Sequence, residues 1–276
     1  MGFSIWSFII ACFVNGFFAY IAVIHGSVTY SGAVAGMVVG AALMSGGGFW
    51  PWMMLIFFFS SSTFLSAYRR DTKQDLEQLH RKTHVRDYEQ VLANGTAAAA
   101  ASLLYGATGN LVFLAAAAAA ISSATADTWA GEVGVTSKHS PRSIITGKPV
   151  QRGRSGGITL KGILAGLVGS ISVALILSIN LLVIQRGVTI EAFWITVIVS
   201  ASGFISSLLD SVLGATLQVH YLDEDTGRIS EHPVLEGKPL KKTSGVSWIN
   251  NDMVNFLSIL AGTLLAALLS LSVIPQ

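Results

Sequence analysis

Long apolar stretches recur along the whole sequence. A helix needs about 20 predominantly apolar residues to cross the hydrocarbon core of a bilayer. The stretches predict spans at residues 3–24, 29–47, 49–67, 88–105, 109–126, 159–184, 191–219 and 252–274. Only 12% of the residues are charged, whereas a soluble domain carries about 25%. We therefore predict an all-α fold, a polytopic membrane helix bundle in which residues 1–276 form a single integral membrane domain.

One alternative concerns residues 29–67. The three glycines at 46–48 are followed closely by Pro51, so almost no loop is left between the second and third stretches. These residues form either two full spans or a re-entrant pair, and the bundle has eight or seven spans accordingly. The first stretch is too long for the core of a signal peptide, which predicts a retained span. It contains the single cysteine, Cys12, which cannot form an intramolecular disulfide.

The basic residues are concentrated in three loops. Sixteen of the seventeen lysines and arginines lie in or beside residues 68–87, 127–158 and 220–250. These loops follow the third, fifth and seventh spans, so they share one side of the membrane, and the positive-inside rule predicts that this side is cytoplasmic. The charge-rich residues 69–87 are predicted to form a cytoplasmic helical extension. Five dispersed histidines without zinc-ligand spacing are predicted to be solvated: His80, His84, His139, His220 and His232.

Acidic residues lie at the cytoplasmic ends of the spans. An alanine-rich stretch ends at Asp127, and Glu132 follows five positions later, about 140° away on a helix. An acid at the end of a span is costly unless it faces protein, water or an ion. This pair is either a helix end wetted by the interface or a cation or phosphate–metal site at the membrane surface. Asp210 and Asp252 also lie at cytoplasmic span ends, which favours the second alternative.

Residues 109–184 and 191–274 form a candidate internal repeat. In each half a span ends in an Asp-hydroxyl-x-x-Gly run, beginning at Asp127 or Asp210, and Gly-Lys-Pro and Ser-Gly follow before the next span. The two halves have the same topology, which indicates a parallel repeat about an axis along the membrane normal. Such an axis brings the two aspartates together at one depth. Carboxylates that close need a proton or cation between them, and the cytoplasmic setting favours Mg²⁺.

The loop at residues 147–159 combines cations with glycines. Lys148, Arg152 and Arg154 precede Ser155-Gly156-Gly157 and the next span. Glycines let backbone N–H groups approach an anion closely, and arginine binds phosphate oxygens bidentately. The loop does not match the P-loop pattern. It binds either anionic lipid headgroups or a specific phosphate, and the glycines favour the specific site. The second half of the repeat places three lysines in the corresponding loop: Lys238, Lys241 and Lys242.

Polar residues also open two of the spans. Asp87 is suited to cap the fourth helix, on which Gln90 and Asn94 lie one turn apart. This pair either makes interhelical hydrogen bonds or binds substrate. The eighth span opens with three residues whose oxygen atoms suit a hard cation such as Mg²⁺: Asn251, Asp252 and Asn255.

Several motifs, taken in order, carry a resemblance to a known family. They are Arg86-Asp87…Gln90-Val91…Ala93-Asn94-Gly95, Ala126-Asp127-Thr128-Trp129-Ala130…Glu132…Gly134, Ser155-Gly156-Gly157, Asp210-Ser211…Gly214-Ala215-Thr216…Gln218 and Asn250-Asn251…Val254-Asn255. With them the chain resembles the transmembrane protein 19-like family, long catalogued as domain of unknown function 92, over most of its length beyond the first span. Plant members of that family act as phytyl-phosphate kinases in tocopherol and phylloquinone synthesis. The family is distantly similar to CTP-using polyprenol kinases and phosphatidate cytidylyltransferases.

The resemblance implies phosphoryl transfer from a nucleoside triphosphate, with CTP favoured, to a prenyl monophosphate such as phytyl or geranylgeranyl phosphate. The expected partners are the nucleotide, the prenyl phosphate lipid and the bilayer, with no nucleic acid; a homo-oligomer is left open. The expected roles are catalysis by Asp127, Glu132 and Asp210, Mg²⁺ binding by Asp127, Asp210 and Asp252, and substrate or nucleotide binding by Arg86, Asp87, Gln90, Asn94, Lys148, Arg152, Arg154, Ser155, Gly156, Gly157, Lys238, Lys241, Lys242, Asn251 and Asn255.

The alternative function is a membrane transporter or carrier for a phosphorylated lipid or other anion. Transporters also use parallel repeats and intramembrane acids. The acids of this chain lie at the cytoplasmic ends of spans rather than at mid-span, which favours the enzyme. A scaffold without catalysis leaves the acids and the glycine-rich loop unexplained.

Overall fold

The computed structural model of the protein describes residues 5–68, 85–235 and 237–274. Within these ranges the chain forms eight helices: α1 (Ile5–Ile24), α2 (Tyr30–Gly47), α3 (Phe49–Ala67), α4 (Tyr88–Thr108), α5 (Leu111–Gly134), α6 (Leu160–Gln185), α7 (Ile190–Thr216) and α8 (Asn251–Ser270). Six of them, α2, α3 and α5–α8, are long and apolar enough to cross a membrane. The helical membrane architecture is thereby confirmed with six candidate spans, while membrane crossing by α1 and α4 stays a prediction.

The connection between α2 and α3 is a single residue. Gly48 joins the two helices with a φ of 78°, a left-handed conformation that glycine adopts without steric cost. The helices themselves run for 18 and 19 residues without a break. Residues 29–67 therefore contain two helices that are each long and apolar enough to cross a membrane, which favours two full spans over a re-entrant pair.

Helix α5 lies at the centre of the bundle. Residues 114–126 are all buried, and the helix packs against α3, α4, α6, α7 and α8. The small side chains of Ala115–Ala120 let neighbouring backbones come close, as at the interfaces of other membrane helices. The alanine-rich helix lies at the core because its small side chains allow other helices to pack closely on every side.

Two helices extend beyond their buried stretches with acidic residues on them. Helix α5 continues to Gly134, past the predicted span end at residue 126, so Asp127 and Glu132 lie on the helix rather than after it. Asp210 likewise lies in the last two turns of α7. The charges end the apolar pattern but do not stop the backbone helix, because no proline intervenes and the side chains face a polar interior.

The loops after α5 and α7 contain short strands, which corrects the purely α-helical prediction. The strands are β1 (Arg142–Ser143), β2 (Gly157–Ile158), β3 (His220–Asp223), β4 (Arg228–Ser230), β5 (Val234–Leu235), β6 (Lys238–Pro239) and β7 (Lys241–Ser244). β1 pairs with β2, β5 pairs with β6, and β3 lies between β4 and β7, all antiparallel. Strands of two to four residues are too short to give a hydropathy pattern in the sequence.

One predicted solvated histidine is buried. His220 in β3 is 3% exposed, and burial, the largest cause, lowers the pKa of its imidazole, so the ring is neutral near pH 7. The sequence predicted it as solvated because the basic loop around it is polar. His80, His84 and the predicted helical extension up to residue 84 lie outside the described residues.

The loops after α3, α5 and α7 meet at one end of the bundle. The hydroxyl of Ser155 donates to Glu231 Oε1 at 2.7 Å. The backbone N–H of Ile229 donates to the side-chain oxygen of Gln151 at 3.1 Å. At the end of α3, the Ser66 hydroxyl donates to Glu132 at 2.5 Å. These contacts place the described parts of the three loops on the same side, and the assignment of that side to the cytoplasm stays a prediction.

The orientation can be tested by cysteine labelling in a Cys12→Ser background. Ile145, in the loop after α5, and Val188, between α6 and α7, are 53% and 87% exposed and lie at opposite ends of α6. An impermeant maleimide added to intact cells is expected to label Val188→Cys and to leave Ile145→Cys unlabelled until the membrane is opened. Labelling of position 145 from outside would contradict the cytoplasmic assignment.

Candidate functional site

A polar cavity of about 390 Å³ lies at the end of the bundle where the loops meet. Its walls are the last turns of α3, α5 and α7, the first turns of α4, α6 and α8, and parts of the loops. The fold brings together, from separate segments, thirteen of the residues that the sequence singled out: Arg86, Gln90, Asn94, Asp127, Glu132, Arg152, Arg154, Ser155, Gly156, Gly157, Asp210, Asn251 and Asn255.

Two aspartates face each other in this cavity. The side chains of Asp127 on α5 and Asp210 on α7 lie within hydrogen-bonding distance of each other. The Ser258 hydroxyl on α8 donates to Asp210 Oδ2 at 2.9 Å and fixes that carboxyl group. Ionised carboxylates only accept hydrogen bonds, so this contact needs a shared proton or a shared cation.

The aspartate pair suits a divalent cation that is completed by a ligand. Among the described residues, no group of three or more His, Cys, Asp or Glu side chains is placed to hold a metal ion. Mg²⁺ commonly takes one or two protein carboxylates together with substrate phosphates, and the Asp127–Asp210 pair fits that donor set. Asp252 does not line the cavity and is buried in the first turn of α8. Its role as a ligand stays a prediction.

Arg86 provides a fixed positive charge on the α4 side of the cavity. Its Nη1 donates to Thr63 Oγ1 at 3.1 Å, and its guanidinium carbon lies 5.2 Å from the centre of the Phe59 ring. Burial lowers the pKa of the Arg86 guanidinium from its ordinary value, and the neighbouring Glu132 carboxylate opposes that shift. Arginine remains charged under such a perturbation. The structure thus places Glu132 beside Arg86 and Ser66 rather than in the aspartate pair.

The glycine-rich loop rests on α7. Strands β1 and β2 close its base, and Gly153 and Gly156 have φ angles of 81° and 77°. Gly156 lies so close to Ala215 and to the carbonyl oxygen of Ser211 that a Cβ atom there would overlap both. This close packing sets the position of Ser155 and of the loop cations relative to Asp210.

The two loop arginines reach the cavity in different ways. Arg152 Nη1 donates to the carbonyl oxygen of Val135 at 3.4 Å, so it lies against the end of α5. Arg154 is exposed to solvent at the cavity wall. One arginine is therefore anchored to the bundle, and the other is open to a soluble ligand.

Some functional candidates escaped the sequence analysis. Glu231 lines the cavity and accepts from Gln218 Nε2 at 2.7 Å in addition to Ser155. No sequence pattern marked Glu231, because it lies in a loop far from both Asp-hydroxyl motifs. Gln218 carried a usable signal, since an amide between Leu217 and Val219 at a span end has to find a hydrogen-bond partner.

Five predicted binding residues lie outside the cavity. Asp87 caps α4, accepting from the Gln90 N–H at 3.0 Å, which is the capping role that its position also allowed. The lysines of the second half pair within their own loop: Lys238 with Asp225 at 2.6 Å, Lys241 with Glu224 at 3.7 Å and Lys242 with Ser247 at 2.8 Å. Lys148 is exposed and does not line the cavity. Lys241 and Lys242 lie on β7 of the β3–β4–β7 sheet, Lys238 lies on β6, and none of the three lines the cavity.

Gln90 and Asn94 line the cavity, and within the described ranges neither side chain makes an interhelical hydrogen bond. Asn94 Nδ2 donates to the carbonyl oxygen of Gln90 within α4 at 2.7 Å. The Gln90 side-chain oxygen is buried and has no hydrogen-bond partner among the described residues. The amide of Gln90 is therefore free to bind a ligand.

Comparisons with known proteins agree on a membrane protein. A family model described as integral membrane protein DUF92 matches residues 13–263. Protein PGR of Arabidopsis thaliana is 37% identical over 150 residues, 52% of this chain and 50% of that protein. Uncharacterised membrane proteins of Methanocaldococcus jannaschii and Synechocystis are 32% and 34% identical over 101 and 100 residues, each 36% of this chain and 37% and 36% of those proteins. The chain thus spans about half the length of Protein PGR and just over a third of the length of the other two proteins. No solved structure matches it.

Proposed function

This chain belongs to the integral membrane protein DUF92 family, and we propose that it is a lipid kinase embedded in the membrane. The proposed reaction moves a phosphoryl group from a nucleoside triphosphate, with CTP favoured, to a prenyl monophosphate such as phytyl or geranylgeranyl phosphate. The products are the prenyl diphosphate and the nucleoside diphosphate. The observation that supports this proposal is the contact between Asp127 and Asp210 inside a cavity that arginines also line.

The proposed chemistry is an in-line transfer between two phosphates. An oxygen of the prenyl phosphate attacks the γ-phosphorus of the nucleotide, and the bond from that phosphorus to the β,γ-bridging oxygen breaks. The acceptor is a phosphate that is largely ionised near neutral pH, so the step needs no strong general base. The protein's task is to hold two anions together and to offset their charge.

The cavity residues divide that task. Arg152 and Arg154 offset the charge of the nucleotide phosphates that enter from the loop side, while Arg86 holds the acceptor phosphate. Asp127 and Asp210 would hold Mg²⁺, which when bound neutralises charge that develops on the phosphate oxygens. Glu132 keeps the Arg86 guanidinium in place through its charge, and Glu231 keeps Ser155 in place through a hydrogen bond.

The packing of α5 favours the kinase over a carrier. A carrier must expose its site alternately to both sides of the membrane. In this bundle, residues 114–126 of α5 are buried among five other helices directly beyond the cavity. The charged groups of the cavity therefore lie at one end of the bundle, beyond which α5 is closely packed, and there a nucleotide from solution can meet a lipid headgroup.

The direct test is an assay of the purified protein with Mg²⁺, labelled CTP or ATP, and a panel of prenyl monophosphates. Formation of labelled prenyl diphosphate is the expected result, with CTP the better donor. The kinase would be rejected if no diphosphate forms with any donor and acceptor although a thermal unfolding transition shows that the protein is folded. Movement of prenyl phosphate across liposomes without chemistry would then support the carrier.

The loop arginines give a further prediction. Arg152→Ala and Arg154→Ala are each expected to raise the apparent KM for the nucleotide roughly tenfold or more, because a charge-assisted contact contributes about 1.5–3 kcal/mol. Lys148→Ala is the matched control, since this cation of the same loop lies outside the cavity. Nucleotide dependence is measured at saturating acceptor. An equal effect of all three substitutions would indicate a general attraction to anions and contradict the specific site.

A further inference from the structure

A second cavity, of about 100 Å³, lies among α1, α2, α3 and α4. Its lining is mainly aliphatic, aromatic and glycine, and includes Phe18, Gly36, Val39, Leu55 and Phe59. Engineered apolar cavities of about 150 Å³ stay dry and bind benzene. A cavity of this size and lining therefore has room for a few carbon atoms and favours hydrocarbon over water.

The apolar cavity adjoins the polar one. Phe58, Arg86, Gln90 and Asn94 line both. The guanidinium of Arg86 thus lies at the boundary between them, together with the buried Gln90 side-chain oxygen that has no partner among the described residues. A ligand that spans this boundary needs an anionic, hydrogen-bonding head and an apolar tail.

The deep end of the apolar cavity is closed by a satisfied polar pair. Asn15 lines the cavity, but its Nδ2 donates to the carbonyl oxygen of Ala11 at 2.8 Å. Its Oδ1 accepts from Trp52 Nε1 at 3.0 Å. Both polar atoms of the Asn15 side chain thus already have a partner, which lowers the tendency of this end to draw in water or a polar group and favours hydrocarbon.

We propose that this apolar cavity binds the hydrocarbon chain of the acceptor lipid next to its phosphate, which Arg86 and Gln90 hold at the boundary. The proposal rests on the proposed function for the identity of that chain as a prenyl group. It assigns the site that selects the acceptor by chain length to helices α1–α4, outside the candidate repeat. Gly36 lies one turn of α2 after Gly32, and Gly32 packs against the Arg86 backbone. Gly36 therefore faces the part of the hydrocarbon chain beyond its first isoprene unit.

Gly36→Leu tests the proposal, because no heavy atom lies within 4 Å of a Cβ atom built at Gly36. The Cβ atom therefore meets no neighbour, and the rest of the leucine side chain takes up space in the cavity that Gly36 lines. A misfit of one methylene in a binding pocket changes kcat/KM by about 10–200-fold. We expect kcat/KM for geranylgeranyl phosphate to fall at least about tenfold, while isopentenyl phosphate, which has a single isoprene unit, is affected less. Gly36→Ala gives a smaller effect in the same direction if the leucine variant is unstable.

Val38→Phe is the matched control, since Val38 is on the same helix, is 62% exposed and does not line the cavity. It should leave the dependence on chain length unchanged. If kcat/KM depends on acceptor chain length in the same way in Gly36→Leu and in the unmodified protein, the proposal is overturned and bilayer lipid is the better candidate for the cavity.

A binding measurement separates this proposal from the kinase. Geranylgeranyl phosphate, without nucleotide, is expected to raise the unfolding temperature of the unmodified protein and of Val38→Phe, but not of Gly36→Leu. If no diphosphate forms in any assay and this pattern still holds, the kinase fails and the lipid site is supported. An equal rise in Gly36→Leu would overturn the lipid site, whatever the result for activity.

Discussion

Replacement of Asp127 or Asp210 by asparagine is expected to lower the rate of diphosphate formation by at least about a thousandfold, since positioned charge supplies most of phosphoryl-transfer catalysis. Asparagine keeps the size of the side chain and removes the negative charge. The two carboxyl groups contact each other, so the loss of either leaves half of the donor set for a divalent cation. The expected result is therefore the same for both variants, although they lie on different helices.

The loss of activity has to be separated from a loss of folding. Removal of one of two like charges in contact should leave the unfolding temperature in detergent unchanged or slightly raised. Asp225→Asn is the control, because Asp225 is an exposed acid outside the cavity that pairs with Lys238. Rates are measured as a function of Mg²⁺ concentration, beside thermal unfolding. Full activity in either cavity variant, or inactivity that follows unfolding, would reject the shared site.

The sequence predicted the helix bounds closely because the length of an apolar stretch can be read from neighbouring residues alone. Each predicted span overlaps one observed helix, and the largest error, at the end of α5, arose because Asp127 was taken to end the helix. A charge ends an apolar pattern, but it ends a helix only if the side chain cannot find a polar environment. Asp210 on α7 provides part of that environment, and this tertiary fact is absent from the local sequence.

The candidate site was predicted well at the helix ends and in the glycine-rich loop after α5, and poorly in the loop after α7. Arg86, Asp127 and Asn251 line the cavity because they lie at helix ends that face the same side. The lysines after α7 were assigned by analogy with the loop after α5. They pair instead with residues of their own loop, which contains a three-stranded sheet with no counterpart after α5, and none of them lines the cavity. Non-local pairing of this kind leaves little trace in a short polar segment.

The same reasoning explains why Glu231 was missed. Its contacts, to Ser155 and Gln218, join residues 76 and 13 positions away in the chain. Ser155 is not unusual for a polar loop, and the position of Gln218 indicates that it needs a partner but not which one. Only the packing of the glycine-rich loop on α7 makes the carboxylate a support for Ser155.

That packing predicts a large effect for the smallest substitution in the loop. Gly156→Ala is expected to lower kcat/KM for the nucleotide about a hundredfold, the effect of a displacement of about 1 Å in a positioned site. The φ of 77° at Gly156 disfavours any side chain, and a Cβ atom would overlap Ala215 and the Ser211 carbonyl oxygen. The loop must move away from α7, and the cations on it then lose their position relative to Asp210.

Gly147→Ala separates the effect of backbone strain from the effect of overlap with α7. Gly147 belongs to the same loop and has a φ of 67°, but no heavy atom lies within 4 Å of a Cβ atom built there. It carries the backbone strain alone, about 1–2 kcal/mol in the left-handed region, and lies outside the cavity. Both variants should therefore lose some thermal stability, and only Gly156→Ala should lose nucleotide use. If Gly147→Ala lowers kcat/KM equally, loop strain rather than contact with α7 governs the site. If neither does, the glycine-rich loop does not position the nucleotide.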